Sequence, residues 1–385
     1  MMKGTTQRKF AFRSTALVAA VALAALALVF SVNDSVAQQP GTNTFRLLTF
    51  QVGNSGPRLG TTRGNGDQDI VDVHNAVLYL IRNGAPEVPG LAPIPIDMRS
   101  LIEAGDASVR SVKTVHEAIT RLRTSGSFTE PGGAQRVFHP PASFTYLPPV
   151  PNPSKVFGGA GAYQRKNPDG TPGSYDNVEF PSYFLKPPSS LTGHNTDINL
   201  AGLLTTGVYE PEFAVIIGKR ARFIRPSEAM NYIFGYTNFN DVSSRDLPQG
   251  HHSAQGSNIS KGVDTFSPVG PYITLKEDVP DPGNLEIIGV IDGVRHQWPV
   301  NNGNTKFLTF TVEEAVSYLA ERMTLEPGDI ISTGVPSPSM AFKIGETVEV
   351  TIGNLGTLRN RVVSVPAPGW TPIKPRPGST PPSDQ

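Results

Sequence analysis

The sequence predicts a β-rich α+β protein, and three observations carry that prediction. Glycine and proline number 38 and 36 among 385 residues, a content suited to many turns between short strands and below the low-complexity range. Apolar runs are short and close on Gly or Asp-Gly instead of continuing at helical spacing. Helix signals are few, and the strands are expected to pair mostly with sequence neighbours.

Lys3, Arg8, Lys9 and Arg13 precede an uncharged apolar run at 15–32, and Ser35-Val36-Ala37 follows with small residues at both recognition positions. This is the order of a secretory signal, expected to span 1–37 and to leave Gln38 as the new N-terminus. The expected location is therefore periplasmic or secreted, with an uncleaved membrane anchor as the alternative. Cleavage removes four basic residues and Asp34 and leaves 29 basic against 32 acidic residues. Such a near-neutral chain, with 17% charged residues, is a poor electrostatic match to nucleic acid, and none is expected as partner. Nor is a membrane expected as partner after cleavage. The absence of cysteine excludes disulfides, thiolate metal sites and a cysteine nucleophile.

Residues 45–52 (FRLLTFQV) alternate as a strand. Ile70, Val73, Val77, Leu80 and Ile81 fall at helical spacing, with Gly84 as the stop, and a second helix is expected over 109–123. These belong to a small N-terminal domain at 44–130. The Pro-rich stretch 131–153 (including HPPASFTYLPPVPNP) reads as a linker, and 154–365 as the second, larger domain. There, residues 212–217 (EFAVII) form a buried strand closed by Gly218. Ser227 is expected to cap a short helix running to Phe234 and stopped by Gly235. Asp292-Gly293 predicts a hairpin between 285–291 and 294–298. Thr311 and Glu314 form a capping box on a helix to about Met323. Residues 347–352 and 358–363 form another hairpin. The Pro-rich tail 366–385 is expected to be disordered.

Gly158-Gly159-Ala160-Gly161 superficially suggests a phosphate loop, but no amphipathic helix follows it. The chain has no G-x-x-x-x-G-K-[ST], G-x-S-x-G or H-E-x-x-H. Glu210 and Glu212 are two apart at the mouth of an apolar strand, so both carboxylates project from one face. Two like charges there repel unless a cation neutralises them. Asp241, after the Gly235 stop, supplies a third carboxylate. Three carboxylates completed by water describe a hard-cation site for Mg²⁺, Mn²⁺ or Ca²⁺. Two exposed strand-end glutamates and a turn aspartate are the alternative that spacing alone leaves open.

Residues 183–190 (YFLKPPSS), 209–219 (YEPEFAVIIGK), 235–246 (GYTNFNDVSSRD), 261–271 (KGVDTFSPVGP) and 324–336 (TLEPGDIISTGVP) occur in that order. In combination they resemble the fumarylacetoacetate hydrolase family over about 156–363, and 45–123 resembles the small domain that precedes the catalytic domain in many members. The resemblance implies a mixed β-roll/β-sandwich catalytic domain, commonly homodimeric, with a divalent cation, Mg²⁺ above all, on Glu210, Glu212 and Asp241. It implies that Lys186, Arg245 and Lys261 sit near an anionic 2-oxo acid or β-diketone substrate or the metal shell. Tyr163, Thr333 and Gly334 would line the pocket. The family's chemistry breaks a C–C bond through a metal-stabilised enolate, so hydrolysis of an acylpyruvate or related 2-oxo acid is the expected activity.

The sequence departs from the family where hydrolytic members carry the His and Glu that activate water. Lys166 and Asp169 stand at those positions, Ala162 replaces an Asn before Tyr163, and Val335 replaces the second Thr of a T-G-T-P loop. Lys166 is then a candidate base when desolvated, and His252, from the His251-His252 pair, is another. Without either, the chemistry reduces to decarboxylation, keto–enol isomerisation or simple binding of an oxo acid.

Overall fold

The computed structural model describes residues 43–64, 69–164, 178–202, 204–244, 254–298, 303–336 and 338–371. The expected signal segment, the tail beyond 371, and Lys166, Asp169, Arg245 and His252 lie outside them.

The first run of alternating apolar residues becomes β1 (Phe45–Gln51), which pairs antiparallel with β2 (Arg58–Arg63), and β3 (Ile70–Asp72) continues the sheet. Helix α1 (Val73–Arg82) starts three residues later than its periodicity suggests. Ile70–Asp72 is taken up by strand pairing, and the Asp72 carboxylate caps the helix by accepting from the Asn75 amide at 3.1 Å. Helices α2 (Met98–Ala104) and α3 (Asp106–Thr124) follow. The Pro-rich stretch expected as a linker is stitched into the sheet by β4 (Phe138–His139) on β3 and β5 (Thr145–Tyr146) on β1. Thr49 Oγ1 also donates to the Pro149 carbonyl at 2.7 Å.

The larger part contributes β6 (Val156–Ala160), β7 (Ser182–Lys186), β8 (Leu191–Thr192), β9 (Asp197–Asn199), β10 (Thr206–Tyr209) and β11 (Pro211–Ile217). Next come α4 (Pro226–Ala229), β12 (Ile233–Asn240), α5 (Ala254–Lys261) and β13 (Ser267–Leu275). The remainder is β14 (Ile287–Ile291), β15 (Val294–Arg295), α6 (Val312–Arg322), β16 (Ile330–Ser332), β17 (Met340–Lys343), β18 (Thr347–Ile352) and β19 (Thr357–Val363).

One large sheet runs β4-β3-β2-β1-β13-β12-β11-β16-β6-β7, with β5 on β1 and β8 on β13. A second runs β15-β14-β18-β19-β9, and β10 pairs with β17. Strand β11 shows why its residues are apolar on both faces. Ala214 and Ile216 pack with Phe45, Leu47, Leu101 and Val112 of the N-terminal part. Phe213, Val215 and Ile217 pack with Val348, Val350, Ile352 and Leu358 of the second sheet.

The hairpin at Asp292-Gly293 forms with positive φ at both residues, as a tight turn requires. Thr311 and Glu314 close their capping box on α6. The helix expected from Ser227 to Phe234 is instead only Pro226–Ala229. Phe234 and Gly235 belong to β12, which β11 and β13 both pair with. Glycine is needed in that strand because a Cβ at 235 would lie 2.3 Å from the Thr274 carbonyl oxygen. The Gly158-Gly159 run is likewise strand, not phosphate loop.

Candidate active site

The short connection between β10 and β11 places Glu210 beside the end of β12. The Glu210 amide donates to Asn240 Oδ1 at 3.0 Å, and the Asp241 amide donates to the Glu210 carbonyl at 3.0 Å. This clasp brings the expected trio together. One carboxylate oxygen from each of Glu210, Glu212 and Asp241 lies within 4.8 Å of the others. Glu212 and Asp241 are fully buried.

Two ammonium groups brace the trio. Lys186, at the end of β7, donates from Nζ to Asp241 Oδ1 at 2.5 Å, and to the carbonyls of Phe266 at 3.0 Å and Val242 at 3.3 Å. Lys261, at the end of α5, donates to Asp241 Oδ2 at 2.7 Å and to Glu210 Oε2. Its Nζ also lies 5.3 Å from the centre of the Phe184 ring. Glu212 stands on the far side. Its Oε2 accepts from the Ser332 hydroxyl and from the Gly334 amide at 2.9 Å.

The charges respond to this enclosure. Burial pushes the Glu212 carboxyl well above the usual carboxylate range, and neighbouring Asp241 and Glu210 push it the same way. Burial also raises Glu210, against the pull of Lys261. At Asp241 burial acts upward too, but Lys186 and Lys261 together outweigh it and hold the carboxyl below its ordinary value. Burial lowers Lys186, whereas at Lys261 the three carboxylates overcome burial and hold the ammonium above its ordinary value.

Three carboxyl groups thus face two ammonium groups, and Glu212 Oε1 is buried without a hydrogen-bond partner among the described residues. An all-oxygen donor set, whose Glu210 and Glu212 carboxyls are pushed up by burial and by their acidic neighbours, with an orphaned buried acceptor among them, fits a hard divalent cation whose charge would relieve that crowding. Thr333 fixes the adjoining loop, its amide and Oγ1 both donating to the Phe213 carbonyl at 2.9 Å. Tyr163 is fully buried and forms an isolated bridge with Leu308.

Two residues join the site that sequence reasoning did not single out. Ser332 lies inside the quoted T-L-E-P-G-D-I-I-S-T-G-V-P run, where a polar side chain ending an apolar strand is the available signal. Tyr183, on β7, has its hydroxyl held above its usual pKa by burial and then by Glu212. Nothing at its position distinguishes it from a packing tyrosine.

The description "Fumarylacetoacetate (FAA) hydrolase C-terminal" matches residues 160–363, a span that contains the whole trio and both lysines. The chain belongs to the fumarylacetoacetate hydrolase family. A mitochondrial oxaloacetate tautomerase of Bos taurus is 31% identical over 84% of this chain and 93% of its own. An oxaloacetate tautomerase of Bacillus subtilis is 33% identical over 56% of this chain and 71% of its own. Among solved structures, maleylpyruvate hydrolase from Sphingobium sp. SYK-6, in complex with manganese(II) and pyruvate, matches with a TM-score of 0.57 at 26% identity, over 83% of this chain and 99% of that one. Members of this family thus include hydrolases and tautomerases, and the fumarylacetoacetate hydrolase fold is shared along most of the described chain.

Proposed function

We propose that this chain is a divalent-metal-dependent tautomerase that interconverts the keto and enol forms of a small 2-oxo acid. The observation that carries the reading is the buried Glu210–Glu212–Asp241 trio braced by Lys186 and Lys261. Glu210, Glu212 and Asp241 would hold the divalent cation, which would supply the Lewis acidity that makes a proton beside a 2-oxo group easier to remove. Lys186 and Lys261 keep Asp241 ionised and fix its orientation. They also leave positive charge beside the site, suited to an anionic acid.

Tautomerisation moves one proton between C3 and the oxygen on C2, with no atom gained or lost. It needs no activated water, in keeping with Lys166 and Asp169 standing where hydrolytic members carry His and Glu. The likeness to oxaloacetate tautomerases over most of the chain supports the same choice. By its sequence position alone, where hydrolytic members carry His, Lys166 is the candidate base for that proton transfer, with His252 as the other.

Hydrolysis of an acylpyruvate is the second reading, favoured by the likeness to maleylpyruvate hydrolase. One assay separates the two. The chain is given oxaloacetate and an acylpyruvate panel with Mg²⁺ or Mn²⁺, against a chelator, following enol absorbance and products together. Metal-dependent decay of enol absorbance with the acid recovered intact is the expected result, and Glu212→Gln should lower the rate at least ~100-fold. Stoichiometric release of pyruvate from an acylpyruvate would replace the reading by hydrolysis, and release of CO₂ from oxaloacetate by decarboxylation.

A further inference from the structure

The Glu212 carboxylate is gripped on one side only. Oε2 accepts two hydrogen bonds, from the Ser332 hydroxyl and the Gly334 amide, while Oε1 is buried and accepts none from the described residues. Both donors ride on one short piece of chain that has no freedom to follow the carboxylate. Ser332 is in register with Ala214 across the β16–β11 pair. Thr333 is fastened twice to the Phe213 carbonyl. On the other side, Gly159 of β6 abuts the backbone of Ser332, Thr333 and Gly334 so closely that even a Cβ has no room. Rotating the carboxylate would break two hydrogen bonds inside a buried site, where a lost partner is not replaced by water.

We propose that Ser332 is a positioning residue for the cation: its hydroxyl, acting with the Gly334 amide, occupies Oε2 and so presents Oε1 of Glu212 as a single-oxygen ligand. A freely turning carboxylate offers either oxygen, or both, at a cost in order each time an ion binds. One already locked has met that cost in folding. The Gly334 donor is backbone and beyond substitution, so Ser332 is where the device is accessible. The proposal rests on the trio being a cation site, as in the reading above.

The test is Mn²⁺ binding to the full chain without substrate, by calorimetry and by electron paramagnetic resonance. Ser332→Ala should weaken binding about tenfold or more and alter the zero-field splitting of the bound ion, as Glu212 gains a second way to ligate. Ser332→Cys, close in size and a poorer donor, should fall between the two and serves if the alanine variant does not fold. Ser332→Thr keeps the hydroxyl and should restore both affinity and spectrum. Wild-type affinity and spectrum in Ser332→Ala, or in Ser332→Cys if that is the variant that folds, would overturn the proposal. Glu212→Gln separates it from the underlying reading: unchanged Mn²⁺ affinity there would remove the cation site itself, whereas a loss there with no effect at Ser332 removes only the positioning role.

Discussion

His116 and His194 are both enclosed, and burial pushes the imidazole of each down to about 4. His116 Nδ1 meets the Thr61 hydroxyl at 2.8 Å, and the ring packs edge-on to Phe45. His194 Nδ1 accepts from the Arg359 amide at 3.0 Å, with Tyr146 across its ring. A neutral histidine in the fold and a titratable one in the unfolded chain fix the sign. Above about pH 6.5 neither state is charged and the full stability is present. As the pH falls towards 4 the unfolded chain binds protons that the fold refuses, and the buried His116 withdraws up to about 3 kcal/mol, the half-buried His194 less. Glu210 and Glu212, held above the ordinary carboxylate range, act in the opposite direction. Thermal melts of wild type and His116→Gln between pH 7.5 and 4.5 isolate the term: wild type should lose more stability on acidification than the variant. Parallel curves would show that His116 is not held neutral. Residues of this kind were hard to read in advance. Lysine is seldom buried, and nothing in composition or spacing marks Lys186 and Lys261 as exceptions; only their resemblance to family motifs drew attention to them.

Strands β6 and β16 show how uncharged backbone sets the geometry of the site. A Cβ on Gly159 would lie 2.7 Å from the Gly334 amide nitrogen and 2.8 Å from the Thr333 carbonyl carbon, both backbone atoms that a side-chain rotation cannot move away. Gly159→Ala should therefore displace the loop that donates to Glu212, cost roughly 1–3 kcal/mol of stability and weaken Mn²⁺ binding several-fold. Gly158→Ala is the comparison, since its Cβ meets the far end of the Phe184 ring, a side chain that can swing aside where backbone cannot. It should leave Mn²⁺ affinity nearer to wild type, and equal losses in the two variants would defeat the argument. Elements governed by local chemistry were legible: the Asp292-Gly293 turn, the Thr311–Glu314 box, and the apolar strand carrying Glu212, although Glu210 lies in the connection before β11 and not in the strand itself. The expected helix through Phe234 was not, because β11 and β13 recruit its second half into a central strand, and tertiary pairing overrides a helix-like local pattern.

At the scale of the molecule, strand β1 lies between β2 and β13, so the N-terminal part and the catalytic part share one sheet. Arg46 and Leu47 pair with Thr274 and Ile273, more than two hundred positions away. Hydrophobic periodicity reveals that 45–52 is a strand but carries no information about its partner, so a proline-rich boundary looked like a linker. The consequence is testable. A fragment spanning 154–371 would keep every described member of the carboxylate–lysine cluster yet expose the edge of β13 and uncover Phe239, Ile273 and Leu275, which pack against Phe45 and Leu47. Each large apolar side chain returned to water costs about 1.5–3 kcal/mol, and several of them match the ~5–15 kcal/mol that holds a typical fold together. The newly bared strand is also a template for association. Expressed alone, the fragment should be insoluble or melt without a cooperative transition, and co-expression with 43–153 should recover soluble, Mn²⁺-binding material. A fragment that is soluble, melts cooperatively and binds Mn²⁺ as the full chain does would show that the shared sheet is dispensable to the site.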